Sequence, residues 1–267
     1  MPTRVITITS GKGGVGKTTT TANLGVALAT LNQRVVVIDT DIGLRNLDVV
    51  MGLQNRIIYD LVDSIEGRCR LRQALIRDKV LSNLYLLPAA QTRDKSSISP
   101  ADMVRVCAQL RGECDFVLID SPAGIDAGFR NAVAPADEFI LVSTPDRSAV
   151  QDVDRVLGII ETEGRGTTSL VINRLRADLV KRNDMLDPAE ILEMLAIDLL
   201  GIVPESEEVL VANGHGTPVA HEQRCAAARA YHQIAHRLLG ERVPHEPLLT
   251  RQPTLLERLL FWKRAER

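Results

Sequence analysis

Short apolar runs alternate with segments of helical length along most of the chain. Each run is rich in β-branched residues and apolar on both faces, which is typical of parallel strands covered on both sides. The runs are residues 5–8, 35–38, 116–119, 139–142, 170–172 and 199–203, with a further candidate at 84–87. The helical segments are residues 17–31, 100–112, 147–163, 184–195 and 218–240. This alternation predicts an α/β fold with a doubly wound, mostly parallel sheet flanked by helices on both faces.

The pattern changes after residue 240. Three prolines follow within a dozen residues, which excludes a continuous helix and is typical of a linker. A helical pattern then returns up to the last residue. The sequence therefore predicts one domain over residues 1–240, a proline-bearing linker over 241–253 and a C-terminal amphipathic helix over 254–267.

The C-terminal helical pattern combines apolar and basic residues. From Arg251 onward it has five basic and two acidic residues, and all but one of its large apolar side chains fall within an arc of roughly 160° on a helix. An apolar arc beside a cationic end predicts a helix that lies in a membrane interface. A helix docked on the protein's own surface or on a partner is the alternative. The predicted membrane contacts are Leu255, Leu256, Leu259, Leu260, Phe261 and Trp262.

Composition narrows the function classes. Hydrophobic residues make up 45% of the 267 residues and charged residues 25%, which is ordinary for a folded domain. The net charge of -2 excludes a generally basic nucleic-acid binder but not a local basic patch. Aromatic residues are only 3%, which argues against a base-stacking surface. The four cysteines form no C-x-x-C pair, which is typical of free thiols in a reducing compartment. With no signal-peptide pattern at the start, we expect the chain in the cytoplasm or on an inner membrane face.

The most specific motif follows the first apolar run. Residues 11–18 match G-x-x-x-x-G-K-[ST] between a predicted strand and a predicted helix. Its glycines allow the backbone to wrap around phosphates, Lys17 would reach the β- and γ-phosphates, and the Thr18 hydroxyl would coordinate Mg²⁺. The predicted ATP-binding residues of this loop are Gly11, Lys12, Gly13, Gly14, Val15, Gly16, Lys17, Thr18 and Thr19.

Carboxylates follow two of the other predicted strands. Asp39 and Asp41 come directly after the second strand, and Asp120 ends the third. Because ligands bind at the carboxyl ends of parallel strands, one of the first pair can hold a Mg²⁺-bound water and the other can orient the attacking water. Asp120 has the position of the second Mg²⁺-binding acid of phosphate-loop enzymes. Acidic turns that cap the following segments are the alternative.

The form K-G-G-V-G-K-T at residues 12–18 resembles the deviant Walker A loop of the ParA/MinD family of dimeric ATPases, which are phosphate-loop NTPases of the SIMIBI type. The resemblance implies that Lys12 reaches across a dimer interface to the partner's nucleotide. The residues alone place only one more cation near the phosphates. By the same resemblance Asp41 positions the attacking water and Asp39 lies in the outer shell of Mg²⁺, so that Lys12, Lys17 and Asp41 are the catalytic candidates.

The resemblance assigns further loops. The turn after Asp120 corresponds to the family's switch II, a segment that responds to the γ-phosphate. Asn173 and Arg174, with Pro204 on the next strand, correspond to the residues that contact the adenine base, although a polar loop without base contact is the alternative. The switch II residues are Ser121, Pro122, Ala123 and Gly124.

Residues 41–48, 91–95 and 120–125 resemble the branch of this family that acts at the division site of bacteria and plastids, and the resemblance extends over roughly residues 3–240. It implies an ATP-bound homodimer on the anionic inner face of the cell membrane, released by hydrolysis. It also implies a division inhibitor (MinC-like) and an activator (MinE-like) as partners, which would bind a helix carrying Ser148, Asp152 and Asp154. An ordinary solvated helix face is the alternative for these three residues. No nucleic acid is expected among the partners.

Three other functions share this fold. A ParA-like ATPase that partitions DNA needs a basic dimer face, which the net charge of -2 disfavours. An iron–sulfur carrier needs paired cysteines at a dimer seam. A regulator of flagellar number is the third alternative, and of the three it is the most closely related to the division-site branch.

Overall fold

The computed structural model describes residues 2–94, 97–164 and 166–245. In these residues eight strands form one sheet. The strands are β1 (Arg4–Thr9), β2 (Val35–Asp39), β3 (Ile76–Arg77), β4 (Leu84–Leu87), β5 (Phe116–Asp120), β6 (Glu138–Ser143), β7 (Thr167–Leu175) and β8 (Asp198–Pro204). The helices are α1 (Lys17–Thr30), α2 (Leu47–Val50), α3 (Leu61–Ile65), α4 (Leu71–Ala74), α5 (Pro100–Leu110), α6 (Ala127–Val133), α7 (Arg147–Thr162), α8 (Ala177–Lys181), α9 (Pro188–Leu195), α10 (Glu207–Gly214) and α11 (Ala226–Leu238).

The sheet has the order β3-β4-β2-β5-β1-β6-β7-β8. Neighbouring strands are parallel except for β3, which runs antiparallel to β4. The predicted doubly wound, mostly parallel sheet is therefore confirmed, and the candidate strand at residues 84–87 is β4. Because β1 lies between β5 and β6, the loop that follows it opens at the middle of the sheet's carboxyl edge.

Strand register brings the predicted acidic residues together. Asp39 at the end of β2 is level with Asp120 at the end of β5. Asp120 is in turn level with Ile8 of β1. The two carboxylates therefore flank the start of the loop between β1 and α1.

Helices cover both faces of the sheet. Ile6 of β1 packs in one buried cluster with residues of α1 and α11, whereas the adjacent Val5 packs in another with residues of α5. On the same side as α5, residues of α7 and α9 pack on β6 and β7. Adjacent residues of a strand thus enter opposite clusters, which explains why the strands are apolar on both faces.

A glycine in α1 allows this helix to lie close to the sheet. A Cβ atom at Gly25 would be only 2.7 Å from Cγ1 of Val37 on β2. Any larger residue would push α1 away from β2. Since α1 begins directly after the glycine-rich loop, its close packing also fixes that loop.

Two helices begin later than the sequence predicts. The segment predicted at 184–195 contains α9, which starts at Pro188 because Asp187 and Glu190 form a capping box around that residue. The segment predicted at 218–240 contains α11, which starts at Ala226. Residues 219–221 form a separate 3₁₀ turn.

The first residues of the predicted linker lie against α11. Arg237 donates from Nε to the carbonyl oxygen of Val243 at 3.0 Å and from Nη2 to that of Pro244 at 2.9 Å. The predicted membrane helix over 254–267 lies outside the described residues. Among the described residues no helix is long and apolar enough to span a bilayer.

Candidate nucleotide-binding site

The loop between β1 and α1 ends in the first turn of the helix. Gly14 has a φ of 79° and Gly16, the N-cap of α1, has a φ of 98°, a region that L side chains rarely adopt. The amide of Thr20 donates to the carbonyl oxygen of Gly16 at 2.9 Å and so closes the first helical turn. The preceding amides have no helical partner, and together with the helix dipole they form an anion site.

Two glycines of this loop have no room for a side chain. A Cβ atom at Gly11 would lie 2.2 Å from the carbonyl oxygen of Asp152 on α7, and one at Gly16 would lie 2.2 Å from Nδ2 of Asn173. The side-chain amide of Asn173 also donates to the carbonyl oxygen of Val15 at 2.8 Å. Asn173, predicted as a base contact, therefore holds the loop in place through its amide nitrogen.

Lys17 points into the loop. Its Nζ donates to Oγ of Ser10 at 3.0 Å and to the carbonyl oxygen of Lys12 at 3.4 Å, and the residue is 7% exposed. Burial lowers the pKa of Lys17, while the carboxylates of Asp120 and Asp41 act in the opposite direction. The buried ammonium is thus fixed by the loop and lies near the acidic residues, and its predicted contact with the β- and γ-phosphates stays a prediction.

Lys12 lies on the outside of the same loop, with about half of its side chain exposed. Its Nζ is 3.5 Å from Oγ of Ser148 and 4.0 Å from Oδ1 of Asp146, both at the start of α7. The single chain therefore brings Lys12 to Ser148, one of the predicted partner-binding residues. Its role toward a second nucleotide stays a prediction.

Asp39 organises the loop that follows β2. Its Oδ1 accepts from the amide of Asp41 at 2.9 Å, and its Oδ2 accepts from the amides of Asn46 and Leu47, both at 3.1 Å. Burial raises the pKa of Asp39 to about 6, although these three amides favour its charged form. Asp39 therefore ties Asp41 and the start of α2 to the end of β2.

Asp120 lies beside Asp39 and is buried. Burial and the neighbouring carboxylate of Asp39 raise the pKa of Asp120 to about 8, while the hydroxyl of Thr18 and the ammonium of Lys17 favour its charged form. Two buried carboxylates next to a threonine hydroxyl form an oxygen-rich cluster that suits Mg²⁺. The predicted metal residues Thr18, Asp39 and Asp120 thus lie together.

The predicted switch II turn starts buried and ends at the surface. Oγ of Ser121 donates to Oγ1 of Thr9 at 2.8 Å, and Pro122 is buried as well, whereas Ala123 is exposed. Gly124 has a φ of 89°, which allows the chain to turn toward α6. One end of the turn is therefore anchored to β1 and the other is open to solvent.

A pocket of about 260 Å³ opens beside the loop. Arg174 and Pro204, both predicted as base contacts, line it together with Thr19. Asn213 and Tyr231 also line it, and neither was predicted from the sequence. Asn213 donates from Nδ2 to Oγ1 of Thr19 at 3.1 Å. No motif marks these two residues, because they come from α10 and α11, which the fold brings to the loop.

The buried charge of Asp120 predicts a cost to stability. Because its pKa in the folded protein is about 8, against an ordinary value of 3.8, the folded state binds a proton more tightly than the unfolded state. The free energy of unfolding of the nucleotide-free protein is therefore expected to fall as pH rises from about 4 to 8. Asp120→Asn should stabilise this form at pH 8, on the order of 1–3 kcal/mol. Urea denaturation at pH 5 and pH 8 measures this difference, and a variant less stable than the parent protein at pH 8 would contradict the argument.

A glycine loop at a helix N-terminus, a buried lysine and paired acids on neighbouring strands define a phosphate-loop nucleoside triphosphatase. Comparison with known families agrees. A model of the family described as the CobQ/CobB/MinD/ParA nucleotide binding domain matches residues 6–219. The chain therefore belongs to the ParA/MinD family, and it is a nucleotide-binding ATPase.

Similar proteins specify the branch of the family. The septum site-determining protein MinD of Bacillus subtilis is 55% identical over 245 residues, which cover 91% of both chains. The solved structure of the MinD cell division protein of Aquifex aeolicus superposes with a TM-score of 0.84 and 40% identity over 91% of this chain and 100% of that one. The Pyrococcus horikoshii MinD, a complex with Mg-ADP, superposes with a TM-score of 0.81 and 30% identity over 88% and 96%. The first and third of these relatives are described as septum site-determining proteins, and the second as a cell division protein.

Proposed function

We propose that this chain is a membrane-associated ATPase that positions the division site through cycles of ATP-dependent dimerisation and hydrolysis. The observation that carries the proposal is a phosphate loop with a second lysine, Lys12, whose side chain reaches the start of α7. It occurs on a chain that matches septum site-determining relatives over nine-tenths of its length or more. Lys12 links the phosphate loop to the helix on which we expect partners to bind.

Nucleotide binding uses the loop and the acids around it. The loop amides and Lys17 would hold the phosphates. Thr18 and Asp120 would hold Mg²⁺, and Asp39 would lie in its outer shell. When bound, Mg²⁺ would neutralise the charge that develops on the phosphates. Asp41 begins a loop whose backbone is fixed by Asp39, so that its carboxylate orients the attacking water. Arg174 and Pro204 bind the base in the pocket beside Thr19, and Asn173 fixes the loop that faces them.

Membrane association depends on the dimer. A single short helix with five or six apolar side chains binds a bilayer weakly, whereas two such helices on one dimer gain an effective concentration of about 10²–10⁴. The segment over residues 254–267 supplies this helix, and the linker over 241–253 separates it from the ATPase domain over 1–240. ATP-dependent dimerisation therefore places the protein on the anionic inner face of the membrane, and hydrolysis returns it to the cytoplasm.

The start of α7 is the proposed partner surface. Ser148 and Asp154 are exposed, and Asp152 is half-buried and paired with Arg155 at 3.2 Å. A complex of MinC with MinD from Aquifex aeolicus superposes with a TM-score of 0.86 and 41% identity, over 91% of this chain and 99% of that one. That relative supports a MinC-like division inhibitor as a partner of this chain. A MinE-like activator would compete for the same exposed helix and trigger hydrolysis.

Co-sedimentation with anionic phospholipid vesicles tests this proposal. The full chain is expected to pellet with vesicles in Mg²⁺-ATP and to remain in the supernatant in Mg²⁺-ADP. Leu256→Glu with Leu260→Glu should abolish pelleting in ATP, because both apolar contacts are lost and two negative charges face the lipid.

The matched control places the same charges elsewhere. Ala101→Glu with Gln109→Glu adds two glutamates to the exposed side of α5 and should leave pelleting unchanged. A parent protein that stays in solution in both nucleotides would refute the membrane role. Binding to DNA would then be tested, because a ParA-like partition ATPase is the second function that this fold supports.

A further inference from the structure

A groove of about 730 Å³ lies on the opposite side of α10 from the base pocket. Its apolar floor includes Val211, Ala212, Pro218 and Val219. α10 buries none of its residues in the described structure, and Val211 is 57% exposed. We call this surface the α10 groove. It is an apolar helix face that the rest of the described chain leaves uncovered.

The rim of the α10 groove is acidic. Four glutamates line it, and Arg224, which pairs with one of them at 3.1 Å, is its only arginine or lysine among the described residues. An apolar floor inside an acidic rim suits a segment that is apolar on one side and basic on the other. The four glutamates are Glu205, Glu207, Glu208 and Glu222.

The C-terminal segment, residues 254–267, has this composition. Its large apolar residues lie between Leu255 and Trp262, and three of its last five residues are basic. From Arg251 to the end it has five basic and two acidic residues, a net charge of +3. Its charge and its apolar content are therefore both complementary to the α10 groove.

The linker is long enough to bring the segment to the groove. Arg237 donates to the carbonyl oxygens of Leu200 and Pro244, each at 2.9 Å, so that the described chain ends beside the first half of β8. The groove begins at Glu205. Glu205 is five residues after Leu200, which corresponds to about 17 Å along an extended strand. The nine residues from 246 to 254 span up to about 30 Å when extended.

We propose that the C-terminal segment docks in the α10 groove of its own chain when no membrane is present. Its leucines and Trp262 pack on Val211 and Val219, and its basic end lies beside the rim glutamates. The inference rests on the proposed function only in taking this segment to be the one that binds membranes. Docking and membrane binding use the same apolar side chains, so that the two states exclude each other.

Docking in the groove has a consequence for nucleotide control. Glu205 and Ser206 line both the groove and the base pocket, and Leu210 of α10 lines the base pocket while Val211 lines the groove. The base and the docked segment would therefore contact opposite sides of one short helix. Release of the segment adds to the gain in membrane binding that comes from dimerisation.

Trp262 is the only tryptophan of the chain and reports on docking directly. In the full chain in Mg²⁺-ADP without vesicles, we expect a blue-shifted emission maximum and protection from acrylamide quenching. Val211→Arg with Glu222→Lys should shift the emission to that of a solvated indole and remove the protection. The variant should also pellet with more vesicles than the parent protein at limiting lipid, because its segment is released.

Glu193→Lys with Met194→Arg on α9 is the matched control, since it makes the same kinds of change at another exposed site, and it should keep the parent emission. Fully solvated emission in the parent protein overturns the proposal, as does a blue-shifted emission that the groove variant retains. An emission that changes with protein concentration assigns the segment to a second copy and also overturns it. Loss of vesicle pelleting in ATP with the docking signal intact would count against the membrane role instead.

Discussion

Lys17→Ala is expected to abolish ATP hydrolysis, with a loss of about 10³-fold or more. The ammonium of Lys17 is buried and held in the loop by Ser10, whereas that of Lys12 faces α7. Lys12 therefore does not replace it at the phosphates of its own chain. The variant should also fail to form a dimer in Mg²⁺-ATP. Phosphate release and light scattering measure these two effects.

Two further variants separate catalysis from folding in this test. Lys17→Gln keeps a polar side chain of similar length in the buried position, and it should fold as the parent protein does and still be inactive. Lys181→Ala removes an exposed lysine of α8 and should have full activity. A dimer that still forms in ATP when Lys17 is alanine would refute the role assigned to the loop.

Asp41→Ala is expected to keep ATP binding and to slow hydrolysis by about 10²-fold or more, the usual contribution of a residue that orients or deprotonates the attacking water. The loop around Asp41 is built from backbone contacts: its amide donates to Asp39 at 2.9 Å, and its carbonyl oxygen accepts from the amides of Leu44 and Arg45 at 3.2 and 3.1 Å. Removal of the side chain therefore leaves the loop in place. Single-turnover hydrolysis and equilibrium ATP binding distinguish the two steps.

Asp94→Ala, which removes an exposed loop carboxylate, is the matched control and should have the parent rate. We expect Asp41→Ala to accumulate on vesicles in ATP, because bound nucleotide is no longer consumed. Normal turnover in this variant would show that another group positions the water, and loss of ATP binding would show that Asp41 is needed for the loop.

The sheet was predictable because its strands are buried on both faces. A strand such as β2 is a continuous apolar run, and this pattern can be recognised in the sequence without knowing which strands lie beside it. α10 was missed for the opposite reason. It buries none of its residues, so that no buried apolar stripe marks it in the sequence, and its position depends on contacts with α2 and with the 3₁₀ turn at residues 219–221.

The phosphate side of the site was predictable from a local motif, and the base side was not. Lys17 and Thr18 are adjacent in one loop, and their chemistry follows from the spacing of the glycines. Asn213 and Tyr231 reach the same site from distant helices. Asn173 was predicted from the family resemblance, but its contact with Val15 depends on how the end of β7 meets the loop, which no local pattern records.

The contact between Gly11 and Asp152 makes the phosphate loop and α7 one mechanical unit. No side chain separates the two backbones, since a Cβ at Gly11 would already lie 2.2 Å from the carbonyl oxygen of Asp152. Packed interiors have low compressibility, so that a displacement of α7 toward the loop also displaces the backbone of the loop. A protein that binds the outer face of α7 at Asp154 can therefore change the geometry of the phosphate loop without contacting the nucleotide.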